Sequence, residues 1–73
     1  MPKPRYAIMD ERAYQDVDQA LIMAVQSNQE TLADLQHERD QSWPGYPIVD
    51  ITTWEVLAES RAHLGRATAV AAP

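Results

Sequence analysis

Carboxylates and imidazoles stand at metal-ligand spacing twice in this 73-residue chain. Asp34 and His37 form a D-x-x-H pair with Glu30 one turn before it, and Glu59 and His63 form an i, i+4 pair. Inside a helical bundle such sets hold divalent metals, provided that they point inward. Helical phase turns both sets roughly opposite the apolar stripes of their segments, toward water, so neither a metal nor another cofactor is expected. Nucleophilic catalysis lacks its parts as well. The chain has no cysteine and no G-x-S-x-G, and its only glycines, Gly45 and Gly65, cannot build a phosphate cradle. Few walls remain for a pocket of roughly 300–1,000 Å³, the usual size for a ligand. The residues do not read as those of an enzyme.

Length and charge bound what else the chain can be. A domain of this size hides only about 60% of the surface that its unfolded form exposes, and with no cysteine no disulfide can supplement the core. Cysteine-free composition, no secretory h-region after Met1 and no apolar run of membrane-spanning length predict a soluble cytoplasmic protein without a membrane role. The net charge is −5, and eight of the eleven acids (Asp10, Glu11, Asp16, Asp18, Glu30, Asp34, Glu38 and Asp40) fall between Asp10 and Asp40. Phosphate would be repelled there, which speaks against nucleic acid and favours a basic protein partner.

Local signals divide the chain into an all-α pattern. Residues 1–9, with Pro2 and Pro4, read as an extended arm or at most one edge strand. Asp10 is a good N-cap, Met9 and Tyr14 have the spacing of a hydrophobic staple, and no Pro or Gly follows until Pro44, so a helix is expected over 10–41. Residues 42–51, with the segment WPGYP, read as a connector. Thr52 with Glu55 at capping-box spacing and Ile51 with Val56 at staple spacing open a second helix over 52–65, stopped at Gly65 and followed by a tail over 66–73. The expected architecture is a two-helix antiparallel hairpin, one helix long and one short, completed by oligomerisation.

The long helix supplies the reason for oligomerisation. Ala20–Val25 are six apolar residues in a row and would put apolar side chains all round the cylinder, where one packed partner needs only a stripe. Leu21, Val25, Asn28, Leu32 and Leu35 follow heptad spacing, with Asn28 placed to set register, while Ile22 and Met23 fall outside that seam. A second helix of about 18 Å cannot cover both faces. The cover is then another copy of the chain, with a dimer favoured, or a different protein; Tyr6, Ile8, Trp43 and Ile48 folding back from arm and connector are the internal alternative. On the second helix Trp54, Leu57, Arg61 and Leu64 share one side with Ala58 and Gly65. Arg61 either lays its stem along that stripe or anchors a partner, and the two tryptophans are candidates for core and interface alike.

The stretch EVLAESRAHL, Glu55 to Leu64, preceded by Pro47 and Ile48, resembles the toxin-embracing helix of small RelB/ParD-type antitoxins. The resemblance covers about ten residues. It implies an acidic intracellular protein whose helix lies on a basic toxin, with Val56, Leu57, Arg61 and Leu64 as contacts. Lys3, Arg5 and Ala7 alternate like a ribbon-helix-helix strand, but the helix expected after them is too long for that fold. The function expected is thus a helical interaction module of antitoxin, inhibitor or adaptor type. A structural subunit or spacer of a homo-oligomer is the alternative.

Overall fold

The apolar run Ala20–Val25 holds a β-strand over its last four residues, and with it the all-α hairpin gives way to a sheet. The computed structural model describes residues 3–62. Four antiparallel strands, β1 (Tyr6–Met9), β2 (Ile22–Val25), β3 (Ile48–Asp50) and β4 (Glu55–Val56), lie in the order β2-β1-β3-β4. One α-helix, α1 (Leu32–Ser42), connects β2 to β3. Because β1 runs antiparallel to both β2 and β3, those two are parallel to each other, and β2-α1-β3 is a split βαβ unit with β1 inserted at its centre.

No helix spans 10–41, and local capping explains why. Asp10 does act as an N-cap, but of a 3-10 turn over Glu11–Tyr14; its Oδ1 accepts the Arg12 N–H at 3.1 Å. Asp16 repeats the device, accepting the Asp18 N–H at 3.0 Å and opening a second 3-10 turn over Val17–Gln19. Each carboxylate ties backbone N–H groups locally and offers the chain an alternative to helix propagation. Helix α1 starts at its own capping box. Thr31 Oγ1 accepts the Asp34 N–H at 3.2 Å, and Asp34 Oδ2 accepts the Thr31 N–H at 3.0 Å. The helix stops where WPGY turns, with the Tyr46 N–H donating to the Trp43 carbonyl at 3.0 Å. Gly45, at φ 86°, takes the left-handed position that such a Pro–Gly turn requires.

The supposed arm and connector turn out to be the centre of the sheet. Ala7, Ile8 and Met9 of β1 and Ile48 and Val49 of β3 are all buried, through the pairs Ala7 with Val49 and Ile8 with Ile48. Alternation sends them to opposite faces. On one face Ile8 and Ile48 pack against Leu35 of α1, with Tyr6, Met23, Ala24, Leu32, Trp43, Tyr46 and Leu57 around them. On the other, Met9, Val49 and Val56 meet Ala13, with Tyr14, Val17 and Ala20 from the two 3-10 turns. Three thin layers result.

The helix expected over 52–65 does not form as such either. Residues 51–54 make the turn of the β3–β4 hairpin, drawn in by Asp50: its carboxylate accepts from the N–H and hydroxyl of Thr52, and its carbonyl accepts the Trp54 N–H at 2.6 Å. Glu55 and Val56 pair with Asp50 and Val49, and helix begins only at residue 58. Among the described residues no helix is long and apolar enough to cross a membrane.

Candidate functional site

The two edges of the sheet are treated very differently. At one, β4 has only two residues, of which Glu55 is charged and exposed. Shortness and charge are the ordinary means of blunting an edge. At the other, β2 offers Ile-Met-Ala-Val, and the chain carries no charge at all across the eleven residues from Gln19 to Gln29. Leu21, Ile22 and Val25 are 58, 49 and 42% exposed. The Gln26 N–H donates to the Tyr6 carbonyl at 2.9 Å and Ala24 lies opposite Ile8, so by alternation the N–H and C=O of Val25 face the open side. Among the described residues, the edge's one protection is a bulge in the ladder, at the register shift between Ile8 and Met9.

Beside the C-terminal end of β2 lies a cleft of about 240 Å³, lined by Lys3, Pro4, Arg5, Gln26, Ser27, Asn28 and Glu30. The Arg5 guanidinium donates from Nε and Nη2 to the Gln26 carbonyl at 3.3 and 3.2 Å. Gln26 Oε1 accepts the Tyr6 N–H, and its Nε2 donates to the Glu30 carbonyl at 2.8 Å. Glu30 Oε1 accepts the Ser27 N–H. Among the described residues neither Lys3 nor Arg5 meets a carboxylate in an ion pair. In sequence, β2 is preceded by the 3-10 turn that Asp16 caps and that carries Asp18, and it ends beside the cleft of Lys3, Arg5 and Glu30.

A second polar network centres on the buried Arg39. Arg39 takes the place of an apolar residue in the α1 stripe Leu32, Leu35, Arg39 and is 3% exposed. Its Nη2 donates to Glu59 Oε1 at 3.0 Å and its Nε to Asp40 Oδ1 at 2.9 Å, while Nη1 is buried without a partner. Burial opposes the Arg39 charge, but the hydrogen bonds to Glu59 and Asp40 outweigh it and raise its pKa above the ordinary arginine value. Glu59 Oε2 also accepts from the buried Ser60 hydroxyl, which in turn accepts the Ile48 N–H at 3.0 Å. The Tyr14 hydroxyl donates to the carbonyls of Gly45 and Ser60, and burial chiefly pushes its pKa up. These bonds tie the three layers together.

Of the residues singled out by sequence, the structure separates more than it gathers. Leu32 and Leu35 are on α1 against the core, Leu21, Ile22 and Val25 are exposed on or beside β2, and Asn28 sits exposed in the following turn, so no heptad seam joins them. Met23 is partly covered by the Ile8 cluster; Ile22 is not. Val56 is buried and Leu57 packs on the Ile48 cluster, so neither is free as a helical contact, while Arg61 is exposed in the short helical stretch. Trp43 joins the core, whereas Trp54 is 53% exposed at φ 62°. Asp34 serves the capping box, whose hydrogen bonds from Thr31 hold its carboxyl below the usual range, and His37 is exposed on α1. Glu59 is engaged by Arg39; His63 and Leu64 lie outside the described residues. Among the described residues no group of three or more potential metal ligands is gathered. The open edge itself escaped sequence reading, although a short apolar run bounded by polar residues is also the mark of a strand.

No family model matches the chain, and no curated protein or solved structure matches it.

Proposed function

We propose that the chain is a non-catalytic protein-interaction module, of inhibitor, antitoxin or adaptor type, that docks a partner strand on β2. Supporting this reading is one observation above the others: an uncharged edge strand that exposes its own Ile22 and Val25, with Leu21 exposed just before it, in an otherwise charge-rich chain of net −5. Natural proteins protect such edges unless something is added there, and strand addition gives main-chain hydrogen bonds together with pockets for alternate side chains. The acids of the 3-10 turns favour a partner with basic residues beside its docking strand.

The test compares the tagged full chain with an Ile22→Lys/Val25→Lys variant whose circular dichroism is unchanged. After cross-linking in an extract of the source cells, wild type retains a protein, either a different chain or an untagged copy of this one, that the variant loses. Equal retention by both, or retention by neither, removes β2 as the docking edge.

A further inference from the structure

We infer that the strand added to β2 is β2 of a second copy, running antiparallel across a two-fold axis near Ala24, so that two sheets join into one of eight strands. The inference rests on the reading of β2 as a docking edge and names its occupant.

Charge is what selects a second copy. Two molecules of net −5 repel, so a surface on which they meet must itself be neutral, and the eleven residues from Gln19 to Gln29 meet that condition. A partner chosen by attraction to acids alone would find none on this strand. Direction follows from the two ends. Pairing about Ala24 in the antiparallel sense sets Ser27 and Asn28 of one copy opposite Leu21 and Ala20 of the other. Ser27 and Asn28 line the cleft that holds Lys3 and Arg5 together with Glu30, whose Oε1 accepts the Ser27 N–H, and Ala20 closes the 3-10 turn that Asp16 caps and that carries Asp18. Each copy thus brings two acids to a cleft in which cations outnumber acids two to one, twice over, as an isologous interface demands. Parallel pairing would place cations beside cations and acids beside acids. The backbone agrees, since the N–H and C=O of Val25 already face outward.

Only Leu21, Ile22 and Val25 supply apolar cover, so the interface belongs with the small, transient class below about 1,200 Å², and association is expected in the micromolar range. Sedimentation of the full chain from about 1 μM to 1 mM then shows a shift from one chain mass to two, together with concentration-dependent protection of the Val25 amide. Val25→Lys, with circular dichroism unchanged, stays at one chain mass throughout. Arg5→Glu weakens association severalfold, and Arg5→Glu with Asp18→Arg restores it, a rescue that only the antiparallel two-fold provides.

A wild-type chain that remains at one mass at 1 mM overturns the inference. If that monomer still captures a client lost on substitution of Ile22 and Val25, the docking edge stands and its occupant is a foreign strand. If the Val25 amide is protected in a monomer, the chain covers its own edge, and both readings fall.

Discussion

Truncating Leu35 and truncating Leu21 to alanine should have very different consequences, and the contrast tests the sheet directly. Leu35 is fully buried between Ile8 and Ile48, so Leu35→Ala removes the methyl groups and leaves a void in a close-packed cluster, at a cost of about 2–5 kcal/mol. A domain of this length has a total stability of roughly 4–11 kcal/mol. One substitution therefore consumes a large share of it. Leu21 is 58% exposed, and since full burial of a leucine is worth about 1.5–3 kcal/mol, truncating a side chain that hides less than half its surface costs under about 1 kcal/mol. With about 4–8 °C lost per kcal/mol in small domains, Leu35→Ala should melt at least about 4 °C below Leu21→Ala. Urea unfolding followed by circular dichroism, at concentrations of about 1 μM where association is weak, gives both values, with unchanged m-values confirming that the unfolded states are comparable. Equal costs would refute the reasoning, because a single helix carrying Leu21 and Leu35 on one seam would bury them alike.

Two further perturbations follow from the polar contacts. Arg39→Met should leave stability within about 1 kcal/mol of wild type, because it removes a buried, unpartnered donor along with ion pairs to Glu59 and Asp40 whose side chains are 42 and 58% exposed, whereas Glu59→Gln should destabilise by more than Arg39→Met; chemical denaturation of the pair checks the order. Asp50 and Asp34 have pKa values held below the ordinary carboxylate value by hydrogen bonds from Thr52 and Thr31, so their stabilisation is present above the unfolded-state pKa near 4 and is lost as pH falls through the lower folded values; melting between pH 2 and 6 should show a slope that Asp50→Asn reduces.

Sequence reading located the chain's punctuation better than its elements. The Asp10 cap, the end of the helix before Pro44 and the shared face of Leu32 and Leu35 are all visible from residue types and all present in the fold. What misled was the length of chain without Pro or Gly between Asp10 and Trp43. Asp16 and Thr31 are caps in their own right, and each starts a new element where a continuous helix was expected. Ala, Leu and Met in the run Ala20–Val25 are good helix formers, and a short apolar run alone cannot separate a strand from a helix. The decision was made at a distance: Ala7 and Ile8 pair with Val25 and Ala24 across a connection that no local pattern encodes. Likewise Ile48 and Val49 look like connector beside WPGYP, and become the buried centre only because β1 lies next to them. Arg39 follows Leu35 by four residues on α1, yet nothing local marks it as buried, since its burial depends on Glu59 arriving from 20 residues away.

The same thinness that made the fold hard to read bears on its function. Strands of two to four residues and a core of eight buried apolar residues leave little surplus with which to stabilise an idle feature. Yet the molecule spends a capped turn, a charge and a two-residue length on closing the β4 side, and spends nothing comparable on β2 beyond one bulge. Lysine at Ile22 or Val25 would seal the edge at small cost, because both side chains already reach water. An edge so easily closed and left open is best accounted for by an added strand: its hydrogen bonds would satisfy the outward groups of Val25, and its binding would stabilise the folded state by mass action. On the proposed reading docking and folding draw on the same surface, so a variant that closes β2 should keep the sheet and lose the docking.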